Sequence, residues 1–444
     1  MRRLFQVSIF VLTSGIASLS AFAATAPDIN QPLTLVQLTD IALDNNPQTR
    51  IAWATIRESE AGVELARAGY WPLVTASYSY QRNRQVNFTG TSVGAQTRYG
   101  PSINLSYLLW DFGNRSGSLD AARFTLTAAE LTNSQTMQDV ILQVEQGYYQ
   151  VLGLQALRDA DQQNLQDAQT SLDAARQRKQ SGLATIGDVY QAEAALAGAQ
   201  LALQQTEGNL AVARGQLAVA TGYSADTKLT LAPWESDVTP QLPAHDISEL
   251  LKQARQTRPE LLASKAREQK AVATLEATRG QGLPSLALNA TAGRNTSVLG
   301  DTHTSADSYS AGVTLSVPLF AGFADQAAEK QAQAAIDVAQ ATTLQLQQQV
   351  ELEVWQAYQN VHTAAATLTT TDAQLKSAQQ AADVTAARYK NGLDSILDTL
   401  TAQATLANAR VQQVQAHLNW FAALAALGHA VGGLGTPAST SESK

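Results

Sequence analysis

The sequence contains no cysteine and few charged residues, and both absences limit what the protein can be. Without cysteine there is no disulfide framework, no thiolate metal site and no lipid anchor on an N-terminal cysteine. Charged residues make up 15% of the chain, whereas soluble domains average about a quarter. The net charge of −8 excludes a basic stripe for nucleic acid. The abundant alanine and glutamine favour long, closely packed helices.

Patterns typical of enzyme active sites are also missing. The sequence has no Gly-x-Ser-x-Gly, no P-loop and no dinucleotide-binding fingerprint. Its histidines are scattered without the spacing of metal ligands. We therefore predict no catalytic residue, no cofactor and no metal site. The histidines are His245, His303, His362, His417 and His429.

The N-terminal residues predict a signal peptide over residues 1–23. Arg2 and Arg3 precede a short apolar run, and Ala21-Phe22-Ala23 forms a small-x-small cleavage site. An uncleaved anchor helix is the alternative, but the run falls short of the roughly 20 residues needed to span a bilayer. Because no later segment is apolar enough for a membrane helix, we expect a periplasmic, secreted or outer-membrane β-barrel protein.

The chain contains an internal repeat. A shift of 210 residues places Gly182 on Gly392 and Asp188 on Asp398, and a shift of 212 places Pro47 on Pro259. Matching proline, glycine and aspartate at fixed offsets is improbable for unrelated alanine-rich helices. We predict two structural repeats over residues 24–222 and 247–432, a proline-containing connector at 223–246 and a disordered tail at 433–444.

Each repeat is predicted to contain a helical stretch, a β-hairpin, a long helix and a return helix. The opening stretches, 35–70 and 247–281, stop before Pro72 and Pro284. The long helices would extend about 100 Å at 1.5 Å per residue, and Gly182 and Gly392 provide the turns into the return helices. The remaining predicted ranges are strands at about 73–87, 96–111, 285–296 and 307–320, long helices at about 115–180 and 325–390, and return helices at about 185–221 and 395–430.

The strands alternate apolar residues with serine, threonine and asparagine. This pattern fits a membrane barrel with a wet lumen, although a soluble sandwich hairpin alternates in the same way. Aromatic residues gather at one end of each hairpin, which predicts a membrane-interface belt, with packing at a helix–strand junction as the alternative. The predicted belt comprises Tyr70, Trp71, Trp110, Phe112, Phe320 and Phe323.

The four predicted strands require more than one copy of the chain. Transmembrane barrels begin at about eight strands, and exposed strand edges are not tolerated in lipid. Two copies would give a barrel that side chains largely fill. We therefore predict a mainly α fold with a membrane β-barrel portion, in which a trimer forms a 12-stranded barrel on an α-helical periplasmic tunnel. Such a tube has one evident use, as a conduit from an inner-membrane pump to the exterior.

An ordered set of motifs, present twice, carries a family resemblance. The motifs are Asn46-Pro47, Leu109-Trp110-Asp111-Phe112-Gly113, Val317-Pro318-Leu319-Phe320, and the turns at 181–189 and 389–398. Over its whole mature length the chain resembles the TolC-type outer-membrane efflux proteins. The resemblance implies a homotrimer in the outer membrane, docked by a periplasmic adaptor protein and opened for an inner-membrane transporter. It also implies that Gly182-Leu183 and Gly392-Leu393 lie at the periplasmic tip, where the adaptor docks.

The sequence departs from the family pattern in two places. Many drug-efflux members carry a lipidated N-terminal cysteine, so its absence places this chain with the non-lipidated members. The family's tip is closed by an acidic ring and by an ionic lock with an arginine two residues after the second turn's glycine. Here that position holds Asp394, so the resemblance does not supply the lock.

Asp394, Asp398 and Asp188 are the predicted channel-entrance residues. Asp394 and Asp398 share a helical face, and threefold symmetry would collect six carboxylates that favour cations. Alternatively, Asp188 and Asp398 are the N3 residues of capping boxes that begin at Thr185 and Ser395. Asp394 has no capping role, and its counterpart in the first repeat is Ala184, so it is the stronger candidate for gating.

Two other functions compete with the exit duct. A periplasmic coiled-coil adaptor would have one helical hairpin flanked by soluble β domains, and a trimeric adhesin would confine its barrel to the C-terminus. The sequence leaves the cargo open among drugs, metal ions, metabolites and polypeptides.

Overall fold

The computed structural model describes residues 31–86, 92–232 and 246–433. The predicted signal peptide, the tail beyond residue 433 and connector residues 233–245 lie outside these ranges. The described residues form, in chain order, α1 (Leu35–Asn45), α2 (Pro47–Ala68), β1 (Leu73–Val86), β2 (Ser92–Trp110), α3 (Asn114–Gln180), α4 (Ile186–Ala220), α5 (Ile247–Thr257), α6 (Pro259–Gln281), β3 (Ser285–Leu299), β4 (Thr302–Ser316), α7 (Ala324–Lys390) and α8 (Ile396–Ala430).

Each opening helical stretch is divided into two helices, at Asn46 in the first repeat and at Arg258 in the second. Asn46 and Arg258 both adopt extended backbone conformations, with ψ of 131° and 117°. The cause is the following proline, whose ring disfavours the α conformation in the residue before it. The same proline suits the first turn of the next helix, where its missing N–H costs nothing.

The residues at these two breaks also hold the ends of the return helices. The Asn46 side-chain amide donates to the Ala220 carbonyl at 2.9 Å. In the second repeat, the Arg258 guanidinium donates to the Ala430 carbonyl at 3.1 Å. In both repeats, a side chain at the break between the two opening helices therefore bonds a C-terminal carbonyl that has no partner within its own helix. The side chain is asparagine in the first repeat and arginine in the second.

The two longest helices, α3 and α7, have 67 residues each. Each starts after two consecutive residues with positive φ: Phe112 (49°) and Gly113 (99°), and Gly322 (64°) and Phe323 (64°). The same reversal of the chain is thus built from phenylalanine and glycine in opposite orders. A left-handed conformation is costly for phenylalanine, so surrounding contacts must hold it.

The helices pack closely along α3, which contacts α1, α2, α4, α6 and α8. Near the sheet, a Cβ added to Gly117 would lie 2.5 Å from the backbone nitrogen of Ala277 in α6. Further along, Leu217 of α4 packs against Gly147. Leu210 and Leu217, which recur at seven-residue spacing, are buried, as expected for coiled-coil packing.

The four strands form one antiparallel sheet in the order β1-β2-β3-β4, so the β2–β3 pair joins the two repeats. The second hairpin differs from the prediction, which ended its first strand at about residue 296 and began its second at about residue 307. Its strands pair without interruption from Ser285–Ser316 to Leu299–Thr302, leaving a two-residue turn. Polar side chains in this segment do not prevent backbone pairing, and their composition alone misled the prediction.

The sheet has one apolar and one polar face. In register, Val74 on β1 is paired with Leu105 on β2, which in turn is paired with Ala290 on β3. On the other face, hydroxyl and amide groups bond across strands: the hydroxyl oxygens of Ser77 and Ser102 are 2.9 Å apart, and Thr291 donates to Asn104 at 3.0 Å. Among the described residues, β1 and β4 have no partner strand on their outer edges.

Candidate functional site: the helical tip and the membrane band

The two helical hairpins end in turns of the same design. Gly182 and Gly392 have φ of 71° and 79°, a conformation that glycine adopts without a Cβ clash. The next residue donates its N–H back into the helix, Leu183 to Arg178 at 2.8 Å and Leu393 to Arg388 at 2.9 Å. This is the Schellman arrangement. It leaves both leucine side chains exposed, at 68% and 67%.

Asp188 and Asp398 both complete capping boxes. The Thr185 hydroxyl accepts from the Asp188 N–H, and the Asp188 carboxylate accepts from the Thr185 N–H at 2.7 Å. The Ser395–Asp398 pair repeats this geometry. Hydrogen bonds from the Ser395 hydroxyl and backbone N–H lower the pKa of Asp398. The capping prediction is therefore confirmed, and any role of these two aspartates at a channel entrance stays a prediction.

Asp394 is held by an arginine that sequence reasoning did not connect to it. Its carboxylate accepts from Arg388 Nε at 2.8 Å, and the Asp394 side chain is only 17% exposed. The carboxylate raises the pKa of Arg388. The ion pair lies within one hairpin, because the turn brings the two residues together although they are six positions apart.

The equivalent arginine of the first repeat binds across to the second hairpin. Arg178 donates to the Tyr389 carbonyl at 2.6 Å, and its guanidinium lies 4.7 Å from the centre of the Tyr389 ring. Ala184 stands where Asp394 does in the other repeat, so Arg178 has no local carboxylate of this kind. Burial raises the pKa of Tyr389. The Arg178 charge lowers this pKa and the Asp188 charge raises it, and burial has the largest effect.

A small apolar cluster joins the hairpins beneath these contacts. Leu172, Val189, Tyr389 and Ile396 are buried together. The shift of 210 residues already aligned Arg178 with Arg388. It could not show that the two arginines reach different partners, because that depends on packing between the hairpins.

The predicted belt residues lie at the end of the sheet next to the helices. All six are exposed, and edge-to-face pairs join Trp110 with Phe112 at 6.0 Å and Phe320 with Phe323 at 5.4 Å between ring centroids. Junction packing is evident at Tyr70, whose ring lies 4.8 Å from the Arg115 guanidinium. Exposure of the other rings is compatible with an interface belt.

A second set of aromatic residues, which the sequence analysis missed, lies towards the far end of the apolar face. We call Tyr78, Tyr80, Tyr99 and Tyr309 the outer tyrosines; Tyr80 and Tyr99 stack at 6.4 Å. Across the paired strands Tyr80 is level with Ser305 of β4. Tyr309 lies four residues nearer the helices, so a line through the outer tyrosines is inclined to the direction of the hydrogen bonds between strands. Inclined strands produce this offset in a barrel.

None of the helices among the described residues has the length and apolarity needed to cross a membrane. Nor do three or more potential metal-ligating side chains come together in this part of the chain.

Comparisons with known proteins agree with this geometry. The family described as "Outer membrane efflux protein" matches twice, over residues 38–223 and 250–433. Protein CyaE of Bordetella pertussis is 30% identical over 413 residues, covering 90% of this chain and 86% of that protein. Outer membrane protein TolC of Vibrio cholerae is 26% identical over 410 residues, covering 90% and 91%. The solved structure of the outer-membrane channel OprN has the same fold, with a TM-score of 0.81, 23% identity and coverage of 97% and 99%.

Proposed function

Because the chain belongs to the outer membrane efflux protein family, we propose that three copies assemble into one exit duct. The duct passively conducts substrates from an inner-membrane transporter through the periplasm to the exterior. A single-hairpin adaptor does not fit, since two helical hairpins alternate with strands of one sheet. An adhesin with a C-terminal barrel does not fit either, because the first two strands lie near the N-terminus.

The observation that carries the trimer is the sheet with unpaired outer edges on β1 and β4. Its apolar face shows exposed Val74, Tyr78, Tyr309, Val313 and Leu315, which suits contact with lipid. Pairing β4 of one copy with β1 of the next removes both edges, as a bilayer requires. Twelve strands enclose a wider lumen than eight, whose interior side chains largely fill.

The mass of the purified channel tests this proposal. We expect native mass spectrometry of the detergent-solubilised protein to give three chains per particle. We also expect single-channel current in planar bilayers once the tip is open. A particle of one or two chains would refute the trimer, and recovery of the protein only from the soluble periplasmic fraction would refute the duct itself.

The tip supports docking of a periplasmic adaptor at Gly182-Leu183 and Gly392-Leu393. Leu183 and Leu393 are large apolar side chains exposed at the ends of two rigid turns. Exposed apolar groups on a rigid frame are typical of protein-binding surfaces. The two turns are alike in backbone, so one kind of helical hairpin from the adaptor could bind at both.

A further inference from the structure

Beyond the outer tyrosines, the same face of the sheet carries arginine. Arg82 lies two residues past Tyr80 on β1, so strand alternation places it on the apolar face. Arg294 on β3 is paired in register with Asp307, which lies two residues past Tyr309 on β4. Both positions therefore come immediately after the outer tyrosines, on the side away from the helices.

The charges at this level are available for binding. Arg82 is exposed and makes no ion pair with any residue that the structure describes. Arg294 Nε lies 2.9 Å from an Asp307 carboxylate oxygen, but both side chains are exposed. Such exposed pairs are weak, so an anionic ligand can compete for the arginine. Arg98, by contrast, lies on the polar face with Ser102 and Asn104.

We propose that Arg82 and Arg294 together bind the headgroup of a bis-phosphorylated glycolipid in the outer leaflet. Guanidinium groups bind phosphate oxygens through two parallel N–H bonds. Arg82 is level with Thr97 on β2 and Val298 on β3, and Arg294 lies four residues nearer the helices on the same face. The two backbones are therefore roughly 16 Å apart. Because both arginine side chains are long, one headgroup with two phosphates can contact both, while its acyl chains lie along the apolar face of the sheet. The inference rests on the proposed function, since it requires the sheet to stand in the outer membrane.

Lipid titration of the full-length channel tests the proposal. Wild-type protein in phosphatidylcholine nanodiscs would be titrated with fluorescent lipid A, and binding compared with that of the double variant Arg82→Gln/Arg294→Gln. We expect binding to weaken roughly 30-fold, because each basic residue near an anionic surface contributes on the order of fivefold. The control, Arg98→Gln, removes one arginine charge from the opposite face and should leave binding unchanged.

Three results would overturn the proposal: unchanged binding in the double variant, equal weakening in the control, or equally tight binding of phosphatidylglycerol, which carries one phosphate. If the glutamine variant does not insert, Arg82→Lys/Arg294→Lys replaces it, because lysine keeps the charge without the two-pronged geometry. Partial weakening then supports the proposal and full retention refutes it. Failure of the exit duct itself would look different, since wild-type protein would then not insert into the bilayer at all.

Discussion

At the scale of single residues, the two repeats differ most in how they use one equivalent arginine. Arg388 is neutralised by Asp394 within its own hairpin. Arg178, with Ala184 in the corresponding place, reaches Tyr389 in the other hairpin. One arginine therefore organises a turn and the other couples the two turns. The two arginines differ because one turn contains Asp394 and the other contains Ala184. Asp394 therefore stays the preferred candidate for a role in gating.

We predict that Asp394→Ala changes the closed tip. The substitution removes a carboxylate from each of three proposed copies and leaves Arg388 without its partner, so the tip becomes more positive. In planar bilayers we expect lower cation selectivity and a higher closed-state leak.

Asp383→Ala provides the comparison for this prediction. It makes the same charge change in the same helical hairpin, at an exposed aspartate that accepts from Gln379 at 3.1 Å. Selectivity and leak in Asp394→Ala equal to those of the wild type would contradict a gating role. Equal changes in both variants would show a general effect of charge.

At the scale of helices and strands, close contact between backbones limits what the sequence can tolerate. Gly117 is the clearest case, because α6 passes so close that a Cβ would contact backbone atoms of Ala277 and Ala273. Backbone atoms cannot rotate away as the end of a side chain can. This crossing is what fixes the second repeat's opening helix against the long helix of the first.

We predict that Gly117→Ala lowers stability, by about 1–3 kcal/mol for an overpacked contact. Gly198→Ala is the matched control, since Gly198 is also within a helix but has nothing within 4 Å of the added Cβ. Relief of glycine's backbone entropy should there raise stability by about 0.5–1 kcal/mol. Thermal unfolding followed by circular dichroism would measure both effects. An unfolding midpoint of Gly117→Ala at or above that of the wild type would contradict the prediction, because it would show that α6 can move to make room for the added methyl group.

Helix ends were predictable to within about two residues where glycine or proline marks them, as at Gly182 and Gly392. The strand ends next to the turn of the second hairpin were not predictable. Backbone pairing between β3 and β4 continues through this segment although its side chains are polar. The capping aspartates could be read from local spacing. The Arg178–Tyr389 bond could not, since it joins residues from different repeats and depends on how their hairpins pack.

At the scale of the whole molecule, the chain has two chemically different ends. The helical end offers apolar leucines on rigid turns, and the sheet end offers tyrosine followed by arginine. This polarity suits a protein that binds another protein at one end and lipid headgroups at the other. The strongest test of the helical end is to alter its leucines without altering the fold.

We predict that Leu183→Asp/Leu393→Asp weakens binding of the periplasmic adaptor by roughly tenfold or more, because burying unpaired carboxylates at a contact is costly. Both side chains are exposed, so the oligomer and its melting temperature should not change. Pull-down of purified adaptor would measure the effect. Leu299→Asp, at the opposite end of the molecule, should bind the adaptor as the wild type does, and normal binding by the double variant would exclude the docking site.

The β2–β3 pair has a consequence for how the protein is made. Leu105 and Ala290 lie side by side in the sheet, but the whole α3–α4 hairpin and the next two helices separate them along the chain. The central pairing therefore cannot form until the second half has been synthesised and exported, and bringing such distant segments together is slow. During that interval the apolar strands β1 and β2 are unprotected in water. Transiently exposed apolar surface and unpaired strand edges of this kind favour aggregation until the central pairing forms.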